Sequence, residues 1–144
     1  MTRNGTNSWN VSFSHISWLE RSLTTHGNIA KMARHDDLVF EIDRCRQVDH
    51  LSVICLNEYT MGLTTVHRVI HEFGKPSIIY IGGGWCGYTL QAKEFCLAEG
   101  IGLYVTDEMS GGLWADEYWT YCKRDKNGDP AYHLGRSVAS DGTR

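Results

Sequence analysis

A glycine-rich run joins a predicted strand to a predicted helix at residues 82–87 (Gly-Gly-Gly-Trp-Cys-Gly). Backbone amides at the start of a helix bind phosphate groups, so nucleotide-binding loops occur at this kind of position. The run matches neither the Gly-x-Gly-x-x-Gly pattern nor the phosphate-binding loop, which also needs Gly-Lys followed by Ser or Thr. A flexible connector is the alternative interpretation. Trp85 is nevertheless a candidate for contact with nucleic acid or a protein partner.

Aromatic and basic side chains are concentrated after residue 111. Base stacking on aromatic rings, with cationic side chains along the phosphates, is how proteins hold single-stranded nucleic acid. Capping of the core or an interface with a protein partner explains the same aromatics, and the acidic residues nearby favour these alternatives. The candidate binding residues of this segment are Trp114, Tyr118, Trp119, Lys123 and Arg124.

The composition of the 144 residues is that of one globular domain without a strongly basic surface. Apolar residues make up 42% of the chain and the net charge is −3, so we expect any nucleic-acid binding to be weak. The five cysteines have no zinc-ligand spacing, and no apolar run is long enough for a signal peptide or a membrane span. These features predict free thiols, a cytoplasmic location and no membrane partner.

Hydrophobic patterning predicts an α/β fold with a mixed central sheet flanked by helices. A β-branched or aromatic run favours a strand, whereas apolar residues three and four apart favour a helix. From residue 48 onward, strands and helices alternate as in a parallel sheet. The predicted strands are residues 28–35, 38–42, 48–56, 77–81 and 101–105, and the predicted helices are residues 14–26, 60–73 and 89–99.

Four parts are expected along the chain. Residues 1–13 are predicted to be a flexible arm, and residues 14–110 the core. Residues 111–134 are predicted to be an aromatic-rich hairpin extension, because Asn127-Gly128 is the signal of a type I′ turn. Residues 135–144 are predicted to be a disordered tail.

This order of elements resembles the restriction-endonuclease-like core of the Mrr type. The family's second half has an aromatic-Thr pair, a helical Ala and a Gly-Ile-x-Leu strand, which match Tyr88-Thr89, Ala92 and residues 100–103. Residues 53–59 (Val-Ile-Cys-Leu-Asn-Glu-Tyr) are similar to the family's metal-binding strand, which reads apolar-apolar-Gln/Glu-x-Lys-x-Tyr. The resemblance spans residues 15–109.

The resemblance implies a nuclease site whose catalytic positions have changed. In the family an Asp and the Gln/Glu hold a divalent metal, and the Lys helps to activate water. The corresponding residues are Asp37 (or Asp36), Cys55 and Asn57. A thiol is a poor ligand for Mg²⁺, which prefers hard oxygen donors, and Asn57 carries no charge. We therefore expect either no cofactor or a weakly bound Mg²⁺ or Mn²⁺ at Asp37.

Two further acidic residues belong to this predicted site. Glu20 lies on the first helix, where many relatives have an acid that assists the metal site. Glu58 lies one residue beyond the matched frame, where strand alternation would turn it to the other face.

Three functions remain open from the sequence. The first is a nuclease-fold protein that has lost cleavage and binds nucleic acid or a protein partner, with a role in restriction or phage–host conflict. The second is an active metal-dependent nuclease with relocated ligands, such as Asp37 with Glu41 or Glu58, and with Lys93 supplying the positive charge. The third is a protein-interaction module, such as a homodimer, that uses the aromatic C-terminal segment.

Overall fold

A mixed five-stranded sheet lies at the centre of the computed structural model, which describes residues 9–83 and 85–135. The strands are β1 (Ile29–His35), β2 (Val39–Arg44), β3 (His50–Cys55), β4 (Thr60–Met61), β5 (Ile78–Tyr80), β6 (Gly87–Tyr88) and β7 (Gly102–Tyr104). The helices are α1 (Phe13–Thr25), α2 (Leu63–Phe73), α3 (Leu90–Glu99) and α4 (Thr106–Trp114), followed by a 3₁₀ turn at Tyr118–Thr120.

The order of strands in the central sheet is β1-β2-β3-β5-β7. The first three strands pair antiparallel, whereas β3, β5 and β7 are parallel and buried. The predicted α/β class and mixed sheet are therefore confirmed. Cys55, Tyr80 and Tyr104 end the three parallel strands in register, and we call this side of the sheet the carboxyl edge. Ligands of parallel sheets usually bind at such an edge.

A second, small sheet was not predicted. Residues Thr60–Met61 pair in parallel with Gly87–Tyr88, so α2 begins at Leu63 rather than at residue 60. Val66 and Val69 give α2 its buried face. At the predicted start of the next helix, the Thr89 hydroxyl accepts a hydrogen bond from the Ala92 amide and caps the N-terminus of α3.

The fourth helix was also not predicted, because it contains Gly111-Gly112. Glycine disfavours a helix by about 1 kcal/mol relative to alanine. Both glycines are needed for close packing here: a Cβ on Gly112 would lie 2.8 Å from the Tyr104 ring, and one on Gly111 would overlap Tyr121. The expected boundary at residue 110 therefore falls inside α4.

The terminal predictions need correction where the structure describes them. Trp9 and Val11 are buried against the core, so residues 9–13 are not a loose arm, since apolar burial fixes them. Residues 1–8 of the predicted arm and residues 136–144 of the predicted tail lie outside the described residues. Gly135 pairs with Tyr88 through its amide and belongs to the folded domain.

The predicted hairpin of residues 118–134 is much shorter in the structure. Its antiparallel pairing is limited to Lys123–Ala131, with a bridge between Arg124 and Pro130. A type I′ turn needs positive φ at both central residues. Gly128 has a positive φ of 87°, but φ of Asn127 is not positive, so the type I′ prediction is wrong. The Asp125 carboxylate accepts from the amides of Asn127 and Asp129 and stabilises this other turn. Among the described residues, no helix combines the length and apolarity needed to cross a membrane.

Candidate functional site

Asp37 lies in the tight connection between β1 and β2. Asp36 and Asp37 both have positive φ, 53° and 61°, a conformation that Asp tolerates better than most residues. The Asp36 side chain is exposed, but that of Asp37 is only 2% exposed. The Asp37 Oδ2 atom is buried and has no hydrogen-bond partner among the described residues. Of the two candidate acids, Asp37 is therefore the one directed into the protein.

Arg34 connects Asp37 to Glu20. Its Nη1 donates to Asp37 Oδ1 at 3.1 Å, and its Nε lies 3.5 Å from Glu20 Oε1. The structure therefore brings together the two acids that the sequence placed in one site. A guanidinium lies between them. Sequence reasoning missed Arg34, although a basic residue three positions before Asp37 across a tight turn was a usable signal.

Cys55 ends β3 beside the same guanidinium. Burial raises the pKa of the Cys55 thiol to about 12, and the charge of Arg34 opposes this rise only in part. The thiol stays protonated near neutral pH and is not a ligand for Mg²⁺. A divalent metal therefore does not fit here: Arg34 already supplies the positive charge, and only one of the matched metal positions is an oxygen donor.

Asn57 and Glu58 lie further along the carboxyl edge, beside the loop after β5. The exposed Asn57 accepts a long hydrogen bond from the Cys86 thiol at 3.6 Å. Burial raises the pKa of Glu58, and Arg68 opposes this shift. No contact found among the described residues links Asn57 or Glu58 to Asp37.

The relocated ligands of the active-nuclease hypothesis lie elsewhere. Arg34 pairs with Phe40 across the strands, so alternation places the next residue, Glu41, on the opposite face of the sheet. The Lys93 amine is buried on α3, donates to the Leu103 carbonyl at 3.0 Å and lies 4.5 Å from the Tyr104 ring centroid. Within residues 9–83 and 85–135, no three His, Cys, Asp or Glu side chains are arranged to hold a metal.

Glu41 instead belongs to an exposed ion-pair cluster with His50 and Asp43. His50 Nε2 lies 2.5 Å from Glu41 Oε1, and its Nδ1 lies 2.6 Å from Asp43 Oδ1. Hydrogen bonds to Asp43 and then Glu41 raise the pKa of His50. The imidazolium form is therefore favoured in the folded protein.

This cluster predicts a pH dependence of stability. Because the pKa of His50 is higher in the folded than in the unfolded protein, its contacts stabilise the fold fully below the unfolded-state pKa of 6.5. This stabilisation is lost as the pH rises through the folded-state pKa. We expect the wild type to lose more stability than His50→Gln between about pH 6 and about pH 9. Urea unfolding of both proteins at the two pH values measures the difference. Equal losses would show that the His50 contacts contribute nothing.

Exposed aromatic side chains border the carboxyl edge. Trp18 of α1 stacks on Tyr80 with the ring planes 14° apart, and His15 stacks on the same ring at 16°. Tyr59 is 52% exposed after β3, and Trp85 is 82% exposed after β5. Gly84, beside Trp85 in the predicted glycine loop, lies outside the described residues. We call Trp18, Tyr59 and Trp85 the aromatic rim.

The C-terminal aromatics have a different environment. Tyr118 is half-buried beneath the Arg44 guanidinium, and Trp119 packs edge-on against Tyr118. Trp114 is more exposed and contacts His26 and Arg46 at the other end of the sheet. Lys123 and Arg124 are exposed on the short hairpin. Tyr118 thus packs against the core of the domain, and Trp119 packs on Tyr118.

Comparisons with known proteins do not identify this arrangement. A comparison with protein-family models finds no match, and comparisons with curated proteins and with solved structures find none either. The functional argument consequently depends on the chemistry of the site alone.

Proposed function

We propose that this chain is a restriction-endonuclease-like domain that has lost cleavage and binds single-stranded nucleic acid at its carboxyl edge. The order of α1, β1, β2, β3, α2, β5, α3 and β7 supports the proposed family, because the sequence resemblance implies the same order. The sheet order and the parallel arrangement of β3, β5 and β7 are consistent with it.

The ion pair between Arg34 and Asp37 carries the proposal. A metal-dependent nuclease uses a cation with open coordination positions to hold water and stabilise charge on the phosphate. A guanidinium neutralises the carboxylate but offers no such positions. With a protonated thiol at residue 55 and a neutral amide at residue 57, the site lacks the remaining groups for hydrolysis.

The aromatic rim supports a binding role for the same edge. Exposed rings that can stack on unpaired bases contribute about 1–3 kcal/mol per base without selecting a sequence. The exposed Asn57, beside the loop after β5 that bears Trp85, adds a side chain that both donates and accepts hydrogen bonds. Duplex DNA keeps its base faces covered, so this surface fits unpaired strands better. The net charge of −3 means that few phosphates are neutralised and binding is weak.

The two other hypotheses have less support. Active cleavage with relocated ligands needs Glu41 or Glu58 beside Asp37 and Lys93 near them, and none of these contacts forms among the described residues. An interaction module based on the C-terminal aromatics would need Tyr118 and Trp119 to be free, but both pack within the domain.

Oligonucleotide binding tests the proposal. We expect a labelled single-stranded oligomer to bind more tightly than the duplex of the same sequence, and Trp85→Ala to weaken binding about fivefold or more. Trp114→Ala is the matched control, because this exposed tryptophan lies at the other end of the sheet. Fluorescence anisotropy at low salt measures each affinity.

The same mixtures, supplied with Mg²⁺ or Mn²⁺, test for cleavage on a gel. We expect no product that EDTA abolishes. Metal-dependent cleavage that is lost in Asp37→Ala would contradict the proposal, as would equal binding by wild type and Trp85→Ala.

A further inference from the structure

The last described segment, Tyr132–Gly135, packs along β6, and we call it the strap. We infer that the strap fixes the two loops that carry Tyr59 and Trp85 of the aromatic rim, which we call the rim loops, so that its release loosens the binding edge. The functional meaning of this device rests on the proposed binding role. Its structural basis does not, because it follows from contacts within the chain.

Tyr88 is the residue that the strap holds. The Tyr88 amide donates to the His133 carbonyl at 3.1 Å, and the Gly135 amide donates to the Tyr88 carbonyl at 2.9 Å. The His133 amide also donates to the Tyr88 hydroxyl at 3.1 Å. Leu134 thereby forms a parallel bridge to Tyr88. The strap extends the small sheet beside β6 by one bridge.

The opposite side of β6 holds the loop after β3. The Gly87 amide donates to the Tyr59 carbonyl at 3.0 Å, and the Thr89 amide donates to Met61 at 2.9 Å. β6 therefore lies between β4 and the strap. β4 directly follows the loop that bears Asn57 and Tyr59, and β6 directly follows the loop that bears Trp85. One short strand connects both rim loops to the strap.

The fit between the strap and β6 is close. A Cβ on Gly87 would lie 2.6 Å from the Gly135 backbone and 2.7 Å from the His133 carbonyl. Such distances require glycine at residue 87, because any side chain would displace the strap. A Cβ on Gly83, within the loop itself, would lie at an ordinary 3.6 Å from Thr106 Oγ1, with no closer atom in the part of the chain that the structure describes.

The strap is attached weakly enough to open alone. Leu134 is half-exposed, and the residues leading into the strap at 123–130 are exposed. The strap is held by hydrogen bonds to Tyr88 and by a partly exposed contact between His133 Nε2 and Asp107 Oδ2 at 3.5 Å, and each of these contributes little net stability. Segments with few buried apolar contacts open at a lower free energy than the core. The main apolar contribution is Tyr132, which packs edge-on against Tyr88 and covers the Lys93 amine.

Hydrogen exchange of the free protein tests the strap. Gly135→Pro removes the Gly135 donor and also brings side-chain atoms against Thr60 of β4, whereas Gly87→Ala displaces the strap from the β6 side by direct contact. In both we expect the amides of residues 56–62 and 81–89 to exchange about tenfold faster or more, while residues 101–105 in β7 keep the wild-type rate. Gly83→Ala is the matched control and should exchange like the wild type.

Two outcomes would overturn the inference. If residues 56–62 and 81–89 keep their wild-type exchange in Gly135→Pro, the strap does not fix the rim loops. If residues 101–105 accelerate equally, the segment is part of the global core and not a separable strap. The exchange experiment uses the free protein, so its result does not depend on whether oligonucleotides bind. A failure of the proposed function would be seen only in the oligonucleotide-binding experiment.

Discussion

Arg34→Met is expected to lower the free energy of unfolding by about 2–4 kcal/mol. Asp37 Oδ2 has no hydrogen-bond partner within residues 9–83 and 85–135, and this substitution also removes the Arg34 donor to Oδ1. The carboxylate would then be buried with neither oxygen hydrogen-bonded, which is far less favourable than the paired state. Arg34 is 21% exposed, so water moderates the loss. Urea unfolding of wild type and variant measures the difference.

The same variant tests whether Arg34 takes the place of a cation. Without the guanidinium, the carboxylates of Glu20 and Asp37 lose the cation that both contact, and Mn²⁺ prefers such oxygen ligands. We expect millimolar Mn²⁺ to raise the unfolding midpoint of Arg34→Met and to leave that of the wild type unchanged. Metal at about a hundred times its dissociation constant stabilises by about 2.7 kcal/mol.

The double variant Arg34→Met with Asp37→Asn is the control. Removing the charge as well should recover part of the lost stability and abolish the response to Mn²⁺. An equal response to Mn²⁺ in wild type and Arg34→Met would argue against the cation role, as would a single variant that is as stable as the wild type.

Arg44→Ala is expected to cost about 3–5 kcal/mol, the largest loss of any single substitution discussed. The Arg44 guanidinium is fully buried and donates to both carboxylate oxygens of Asp49, at 2.9 and 2.8 Å. It also donates to the Leu113 and Ala115 carbonyls at 3.2 and 2.6 Å, near the end of α4. Its removal takes the donor from the Ala115 carbonyl and leaves the space of a fully buried side chain. The Leu113 carbonyl, by contrast, keeps the Asn28 side-chain amide, and the partly exposed Asp49 carboxylate can bind water.

Arg46→Ala is the matched control for Arg44→Ala. Arg46 lies on the same turn and donates to the Trp114 carbonyl at 2.6 Å, but its side chain is 60% exposed. Exposed ion pairs contribute about 0–1 kcal/mol, so a small loss is expected. Thermal and urea unfolding compare the two variants. Similar losses would mean that burial of the Arg44 guanidinium does not determine its contribution.

The strands and helices that could be predicted are those with a clear local signal. β3, β5 and β7 arise from runs of β-branched and aromatic residues, and α2 and α3 from apolar residues at helical spacing. β4 and β6 have two residues each, too few to show any period. The α4 helix has an unfavourable glycine pair, and the packing of Tyr104 and Tyr121 overrides this local preference.

The candidate site was predictable only in part. Asp37 and Glu20 were identified because the family resemblance marks their positions, and the structure brings both to Arg34. Arg34 differs in sequence from a solvated strand residue only by its position three residues before Asp37, across a tight turn. Trp85 was singled out by its loop, Tyr59 appeared only as the last residue of the matched strand motif, and Trp18 gave no signal. Their exposure depends on how α1 and the loop after β3 meet the edge of the sheet.

The sequence by itself determined the α/β class and the parallel core strands. It also determined that residues 55 and 57 are a thiol and a neutral amide, in place of a carboxylate or amide ligand and a lysine. These follow from residue type and short-range spacing, which are local properties. Only the tertiary structure decided that Arg34 neutralises Asp37, that Glu41 lies on the opposite face, and that Lys93 is buried among tyrosines. Each of these facts depends on strand register or on helix packing, which bring together residues that are distant in the chain or on different elements.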